Sequence, residues 1–213
     1  MESIISDILQ QIRCAYDQVK FKSYKGCTLF ADMGISLPIS TCQRVLLVKW
    51  KKPISGMVLN CDGAYKRSTG VAGGGGAVRD ASGNLYVAYS HFYVASSSIV
   101  AELRSLLDGL RCCWEFGLKI SEVHMDSQVI VRLVQSQSNP PWYLWHWWDE
   151  VLQYLQFFQV SVHHVFREGN GLADYMANLG CMTKTSSYFT AVPLNAKGIC
   201  TLDRSGLPSL RIY

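Results

Sequence analysis

Three extended segments, joined by short turns, follow one another between residues 57 and 94 and set the strongest limit on the fold of this chain. They read "MVLNCD", "GGGGAVRD" and "NLYVAYSHFYV", and the turn Asp80–Gly83 separates the second from the third. Apolar and aromatic residues favour strands, and strands joined by short turns pair antiparallel. The sequence therefore predicts an antiparallel sheet of three strands, the first of which ends at Asp62.

Helical and extended patterns alternate after this sheet. The run Ile99–Phe116 repeats apolar residues at helical spacing on one face, at Leu103, Leu106, Leu107, Leu110 and Trp114. It is followed by a strand "SEVHMD", helices over Ser127–Gln137 and Trp142–Phe158, a strand "VSVHHVF" and a helix over Gly171–Leu179. We predict an α/β fold whose central five-stranded mixed sheet has three antiparallel strands and then two further strands, with helices on both faces.

The length and composition fit one globular domain with extensions. Of 213 residues, 49% are hydrophobic and 17% are charged, which is enough apolar material for a full core. We predict an N-terminal helix and linker over residues 1–48, the central domain over 49–182 and a C-terminal extension over 183–213. The first of these parts places apolar residues on one helical face, which indicates a helix that docks onto a protein partner (Ile4, Ile5, Ile8, Ile12, Ala15 and Val19).

Cysteine usage and hydropathy bear on the compartment. The eight cysteines form no CxxC pair, and the chain opens without an apolar signal core, so we expect reduced thiols in an intracellular protein of the nucleus or cytoplasm. Uninterrupted apolar runs stay short of the ~18 residues that a membrane helix needs. We therefore expect a protein that has no membrane partner.

The charge distribution gives a weak indication of an anionic partner. Residues 57–180 carry eleven acidic and eight basic side chains, whereas the two flanks together carry five acidic and twelve basic ones. Basic flanks suit nucleic acid, but solvated surface charge explains such an asymmetry equally well.

Four acidic residues occupy related places in the predicted elements. Asp62 ends the first strand and Asp126 the fourth, while Glu102 lies in the first turn of the first helix and Asp174 in the last helix. Residues beyond the strand ends of an open α/β sheet converge on one crevice. Carboxylates held close together repel one another, so such a cluster requires cations, and oxygen ligands favour Mg²⁺ or Mn²⁺.

Five motifs in order now carry a family resemblance. From about Trp50 to Gly180, the segments "NCDGAY", "GGGGAVRDASGN", "SSSIVAELRSLLDGL", "VHMDSQ" and "REGNGLADYMANLG" resemble the type 1 ribonuclease H fold, in the form found in plant retroelement-like proteins. The resemblance implies an endonuclease that hydrolyses the RNA strand of RNA–DNA hybrids with two Mg²⁺ ions, for which Mn²⁺ can substitute.

The resemblance also implies roles for particular residues. Asp62 would be shared by both metals, Glu102 and Asp126 would complete one metal site, and Asp174 would complete the other. Substrate contacts are expected from the loop and turn residues around these acids, namely Gly63, Ser97, Ser98, Arg167 and Asn170.

Two departures from the family pattern keep an alternative open. The loop "FREGNGLAD" lacks the histidine that many bacterial-type enzymes carry, and no Lys or Arg lies between Leu133 and Phe166, where some relatives have a basic, aromatic hybrid-binding segment. The alternative is a catalytically weak or inactive nucleic-acid-binding or interaction module of the same fold, or a remnant of a retroelement polyprotein. The complete set of carboxylates favours the enzyme. Helical spacing in the aromatic segment predicts core packing for Trp145 and Trp148.

Overall fold

The computed structural model describes residues 45–94 and 97–212, which fall into two compact units. Residues 48–209 form the larger unit. The described part of the smaller unit, residues 45–47 and 210–212, lies in a two-stranded sheet of β1 (Val45–Val48) and β8 (Ser209–Ile212). The predicted N-terminal helix lies outside the described residues, and the predicted domain boundaries at residues 49 and 182 stay predictions.

The larger unit alternates strands and helices in the predicted order. Its strands are β2 (Met57–Lys66), β3 (Val71–Asp80), β4 (Leu85–Val94), β5 (Ile120–Met125), β6 (Ser161–His164) and β7 (Ser187–Phe189). Its α-helices are α1 (Ser98–Glu115), α2 (Gln128–Gln135), α3 (Trp145–Phe158), α4 (Gly171–Thr183) and α5 (Lys197–Ser205). Short 3-10 turns precede α3, α4 and α5, at Trp142–Leu144, Arg167–Gly169 and Leu194–Ala196.

The strands form one mixed sheet in the order β6-β5-β2-β3-β4-β7. Strands β2, β3 and β4 are antiparallel neighbours, β5 runs parallel to β2, and β6 runs parallel to β5. The predicted α/β class is therefore confirmed, with six strands instead of five. The additional strand, β7, pairs antiparallel with β4 and has three residues, too few to show an alternating pattern in the sequence.

Helices cover both faces of this sheet. Consecutive strand residues point to opposite faces, so Val78 and Ala77 belong to different apolar cores. Val78 lies in the larger core, which α1, α2 and α3 complete, while Ala77 packs with Leu172 and Met176 of α4. The carboxyl ends of β2 and β5 are thus placed between helices of both layers.

The glycine run of β3 brings α4 close to the sheet. A Cβ atom added at Gly75 would lie 2.1 Å from the backbone nitrogen of Ala177, closer than any side chain tolerates. The glycine run therefore serves close backbone packing, and it lacks the lysine and hydroxyl residue of a phosphate-binding loop.

The helices and the cysteines were both subjects of predictions from the sequence. In the part of the chain that the structure describes, no helix combines the length and apolarity that crossing a membrane demands. The five cysteines there are unpaired and buried (Cys61, Cys112, Cys113, Cys181 and Cys200).

Candidate metal centre

Asp62 and Asp126 lie side by side because two parallel strands deliver them. The pairing of β2 with β5 ends at Cys61 opposite Met125, and Asp62 and Asp126 directly follow these two residues. Strand β2 continues to Lys66, and from Asp62 onward it pairs with β3. Asp62 is therefore an interior strand residue, 5% exposed, and Asp126 begins the turn that leads into α2.

Glu102 reaches the same place from α1, where it is the fifth residue and so lies just past the first turn in which the sequence placed it. The backbone N–H of Gly63 donates to Oε2 of Glu102 at 3.1 Å, so the helix is held directly against the strand. A Cβ atom at position 63 would lie 2.2 Å from the backbone nitrogen of Glu102. Only glycine permits this approach. Gly63 is therefore needed for the packing of α1 against β2, in addition to the substrate contact predicted from the sequence.

These three acids form a compact group of oxygen ligands. One carboxylate oxygen from each of Asp62, Glu102 and Asp126 lies within 4.8 Å of the others. Burial, followed by the charge of Asp126, raises the pKa of Asp62 to about 8. Burial and then the charge of Asp62 raise the pKa of Glu102 well above its usual range, against the Gly63 hydrogen bond, which lowers it. The group repels further negative charge and favours a cation.

The donor chemistry of this group fits a divalent cation. Oδ1 of Asp126 is buried and has no hydrogen-bond partner, although buried carboxylate oxygens are normally paired. A cation would satisfy this oxygen as well as the two neighbouring carboxylates. Since all three ligands are carboxylate oxygens, hard ions such as Mg²⁺ and Mn²⁺ fit better than zinc or copper.

Asp174 stands beside this group instead of within it. It lies in the first turn of α4, where its backbone N–H donates to the carbonyl of Asn170 at 3.1 Å. Its carboxylate forms an ion pair with Arg167, whose side chain is 66% exposed. The charge of Asp174 still contributes to the raised pKa of Asp62, so the two carboxylates are close enough to interact.

The other predicted substrate residues have different surroundings. The Ser97 hydroxyl accepts a hydrogen bond from the backbone N–H of Val100 at 3.5 Å and caps α1, which begins at Ser98. Asn170 is only 1% exposed, and its amide is engaged inside the protein. Arg167 differs from both, because its side chain is 66% exposed and pairs with the Asp174 carboxylate.

Sequence reasoning missed a buried polar network beside these acids. It consists of Trp50, Asn60, Arg79 and Asp203, and it reaches Asn170. One signal was available, since Asn60 is a polar residue inside an apolar strand and shares the face of Asp62. Its partners were not predictable, because they come from three separate elements.

The aromatic segment corrects one sequence prediction. Trp148 is buried as predicted, but Trp145 is 59% exposed, so the prediction of core packing is wrong for Trp145. Trp145 is the first residue of α3, and its indole N–H donates back to the carbonyl of Pro140 at 3.0 Å, which holds the ring over the preceding turn. Trp142 and Tyr143 are exposed beside it, and we call these three side chains the aromatic surface.

The aromatic surface lies at the Glu102 end of α1. The guanidinium of Arg104, two residues after Glu102, is 5.6 Å from the centre of the Trp147 ring. Further along both helices, Arg111 donates to the Glu150 carboxylate at 2.7 and 2.6 Å. Helices α1 and α3 therefore run in the same direction, and the part of α1 around Arg104 lies beside the start of α3.

Comparison with known proteins identifies the family of this arrangement. A family model described as reverse transcriptase-like matches residues 60–180. A protein of Arabidopsis thaliana whose name includes the words ribonuclease H is 35% identical over 168 residues, which are 76% of this chain and 27% of that protein. The chain thus spans about a quarter of the length of this relative.

Solved structures show the same fold. The RNase H1 of Halobacterium salinarum superposes with a TM-score of 0.55 at 22% identity, over 61% of this chain and 98% of that one. LC11-RNase H1, solved in complex with an RNA/DNA hybrid, gives a TM-score of 0.55 at 25% identity, over 60% and 98% of the two chains. Because the family model covers more than half of the sequence, the chain belongs to the reverse transcriptase-like family, and it has the ribonuclease H fold that its motifs indicate.

Proposed function

We propose that this protein is a divalent-metal-dependent endonuclease that hydrolyses the RNA strand of RNA–DNA hybrids. The observation that carries the proposal is the group of Asp62, Glu102 and Asp126, whose oxygens lie within 4.8 Å of one another around an unpartnered oxygen of Asp126. The family membership and the hybrid bound to LC11-RNase H1 support the choice of substrate.

The acids would hold two Mg²⁺ or Mn²⁺ ions. Asp62, Glu102 and Asp126 would hold the first, and Asp62 and Asp174 the second, as the family resemblance implies. When bound, such ions supply positive charge that makes water a better nucleophile and offsets the charge of the reacting phosphate. Cation binding requires the carboxylates in their charged form, so it must displace the protons that the raised pKa of Asp62 retains at neutral pH.

The protein's own residues orient these ligands and the substrate. Gly63 fixes Glu102 through its backbone N–H, and the backbone carbonyl of Asn170 holds the backbone N–H of Asp174. The exposed guanidinium of Arg167 suits a bidentate contact with a phosphate of the hybrid. Backbone N–H groups of the first turn of α1, beside the Ser97 cap, offer a second phosphate contact close to Glu102.

The aromatic surface offers an alternative to the missing basic segment. Indole and phenol rings stack on nucleic-acid bases without requiring a particular sequence. Trp142, Tyr143 and Trp145 are exposed at the start of α3, close to Trp147, which lies 5.6 Å from Arg104, two residues after Glu102 on α1. We infer that they contribute to hybrid affinity, in place of the lysines and arginines that residues 133–166 lack.

Cleavage of a labelled RNA–DNA hybrid tests the proposal. We expect cutting of the RNA strand with Mg²⁺ or Mn²⁺, none with EDTA, and loss of cutting in Asp62→Asn. Asp149→Asn removes an exposed carboxylate of α3 and serves as the matched control, with unchanged cutting expected. Metal-dependent cutting that survives Asp62→Asn would overturn the site. Hybrid binding without cutting under any metal would instead identify a binding module. A protein partner for the N-terminal helix stays a prediction.

A further inference from the structure

A buried ion pair connects the C-terminal helix to the centre of the sheet. Asp203 of α5 accepts a 2.6 Å hydrogen bond from Arg79 of β3, and both side chains are nearly excluded from solvent. The guanidinium also lies 4.0 Å from the centre of the Trp50 ring. Asp203 lies outside residues 60–180, which the family model matches, whereas Arg79 lies within them.

Arg79 also donates a hydrogen bond to Asn60. Its second terminal nitrogen donates to Oδ1 of Asn60 at 3.2 Å, and the indole N–H of Trp50 donates to the same oxygen at 3.1 Å. Two donors on one oxygen fix which end of the Asn60 amide faces them. The amide nitrogen of Asn60 is thereby directed to its remaining partner, Oδ1 of Asn170, at 3.2 Å.

Asn170 joins the backbone of two carboxylate-bearing elements. Its side-chain nitrogen donates to the carbonyl of Cys61 at 2.9 Å, directly before Asp62 on β2. Its own carbonyl accepts the backbone N–H of Asp174 at 3.1 Å in the first turn of α4. The orientation of the Asn170 amide therefore sets where Asp174 stands relative to Asp62.

We propose that Asp203 is a positioning residue for the metal centre, acting through Arg79, Asn60 and Asn170 to hold Asp174 at a fixed place beside Asp62. The proposal rests on the proposed function and adds the C-terminal helix to the functional unit. Without the Asp203 carboxylate, the buried Arg79 charge keeps only its hydrogen bond to Oδ1 of Asn60 within the network, so the guanidinium is expected to shift and to disturb the Asn60–Asn170 contact.

The test compares Asp203→Asn with Arg204→Ala on the same helix. Arg204 also attaches α5 to the sheet, since its Nε donates to the carbonyl of Gly83 at 3.1 Å and a terminal nitrogen donates to Oδ1 of Asn84, and neither of these partners belongs to the network. Mn²⁺ binding is measured by calorimetry, and the kcat and KM for a hybrid are measured as functions of metal concentration, at a temperature where circular dichroism shows each variant folded.

We expect Asp203→Asn to weaken Mn²⁺ binding by about tenfold and to raise the metal concentration for half-maximal cleavage equally, with KM for the hybrid unchanged. Asn170→Ala should reproduce this effect, and Arg204→Ala should leave metal binding at the wild-type value. Equal metal binding by Asp203→Asn and Arg204→Ala would overturn the proposal. Absence of metal binding and cleavage in the wild-type protein would overturn the proposed function itself.

A double variant covers the case in which Asp203→Asn does not fold. R79M with D203L replaces the ion pair by apolar volume, a change that buried pairs often tolerate. It removes one of the two donors that orient Asn60, so weaker Mn²⁺ binding in a folded protein is expected. Wild-type Mn²⁺ binding by this double variant would overturn the positioning role of the pair.

Discussion

The backbone N–H of Gly63 donates to Oε2 of Glu102, and the α-carbon of Gly63 has no room for a side chain. Helix α1 is therefore held at a fixed distance from β2 by a contact between a strand backbone and a helix residue that is itself a proposed metal ligand. The separation of Asp62 from Glu102 depends on this contact.

Gly63→Ala is expected to move the first turn of α1 away from β2. We predict a loss of about 1–3 kcal/mol in the free energy of unfolding, because the added methyl overpacks a closed contact, together with a fall in hybrid cleavage. Urea unfolding and cleavage rates measure the two effects. Gly198→Ala is the control, since a Cβ there meets no atom within 4 Å. Equal behaviour of the two variants would show that the Gly63 contact is unimportant.

The metal-free protein is expected to lose stability as the pH rises from about 4 to about 8. In this window the folded state retains a proton on Asp62, whose pKa is raised to about 8, while the unfolded state has lost it. The folded state binds more protons, so the free energy of unfolding falls with rising pH. The raised pKa of Glu102 acts in the same direction.

Asp62→Asn should remove part of this pH dependence. In EDTA near pH 8, we expect the variant to exceed the wild-type protein by at least about 1 kcal/mol, or about 2–4 °C in Tm for a chain of this size. Thermal unfolding across the pH range measures the difference, with Asp149→Asn as the control that keeps the wild-type slope. Parallel curves for wild type and Asp62→Asn would contradict the raised pKa.

Binding of Mg²⁺ or Mn²⁺ near pH 7 should release protons. Asp62 is mainly protonated there without metal, and a cation binds its charged form. Calorimetry in two buffers that differ in ionisation enthalpy measures the proton count as a difference in binding enthalpy. Identical enthalpies in the two buffers would rule out proton release, and residual metal binding by Asp62→Asn should release fewer protons.

Arg167→Ala should separate metal affinity from substrate affinity. The guanidinium pairs with Asp174 and so competes with a cation for that carboxylate, while its exposed side is free to meet a phosphate. We predict a lower half-saturating Mg²⁺ concentration and a KM for the hybrid raised about tenfold, as expected for a lost charged hydrogen bond. Arg167→Lys keeps the charge and should lie between the two. An unchanged KM would exclude the phosphate contact.

Trp142→Ala and Trp145→Ala should weaken hybrid binding without slowing the chemical step. Loss of one stacked base costs about 1–3 kcal/mol, so KM should rise about tenfold at constant kcat. Phe157→Ala removes an exposed ring from the opposite end of α3 and should leave KM unchanged. If all three variants gave the same KM, the aromatic surface would have no part in substrate binding.

The sequence predicted the features that depend on local order. The apolar and aromatic runs of β2 to β4, the short turns between them and the helical spacing in α1 each lie within one segment, so the strands, helices and sheet class followed from them. Glu102 and Asp126 were predicted because each lies near an element boundary, and Asp62 because its charge interrupts an apolar strand, which continues past it to Lys66.

Features that depend on distant partners escaped prediction. Asn170 stands in a polar loop and was assigned to substrate, yet its amide is buried against Asn60, which lies 110 positions away in the sequence. Asp203 and Arg79 are 124 positions apart, and neither segment signals the other. Trp145 matches the helical spacing of the core, but the turn before α3 places its ring outside. These outcomes arise from tertiary packing, which no local pattern encodes.

The short strand β7 has a practical consequence for how this protein is handled. It covers the outer side of β4 by pairing Phe189 with Ala88, Tyr188 with Tyr89 and Ser187 with Ser90. A fragment that stopped at the end of the family match, residue 180, would leave the backbone N–H and C=O groups of an apolar edge strand open to other molecules. Such edges recruit further strands, so truncated preparations should self-associate and precipitate more readily than the longer chain.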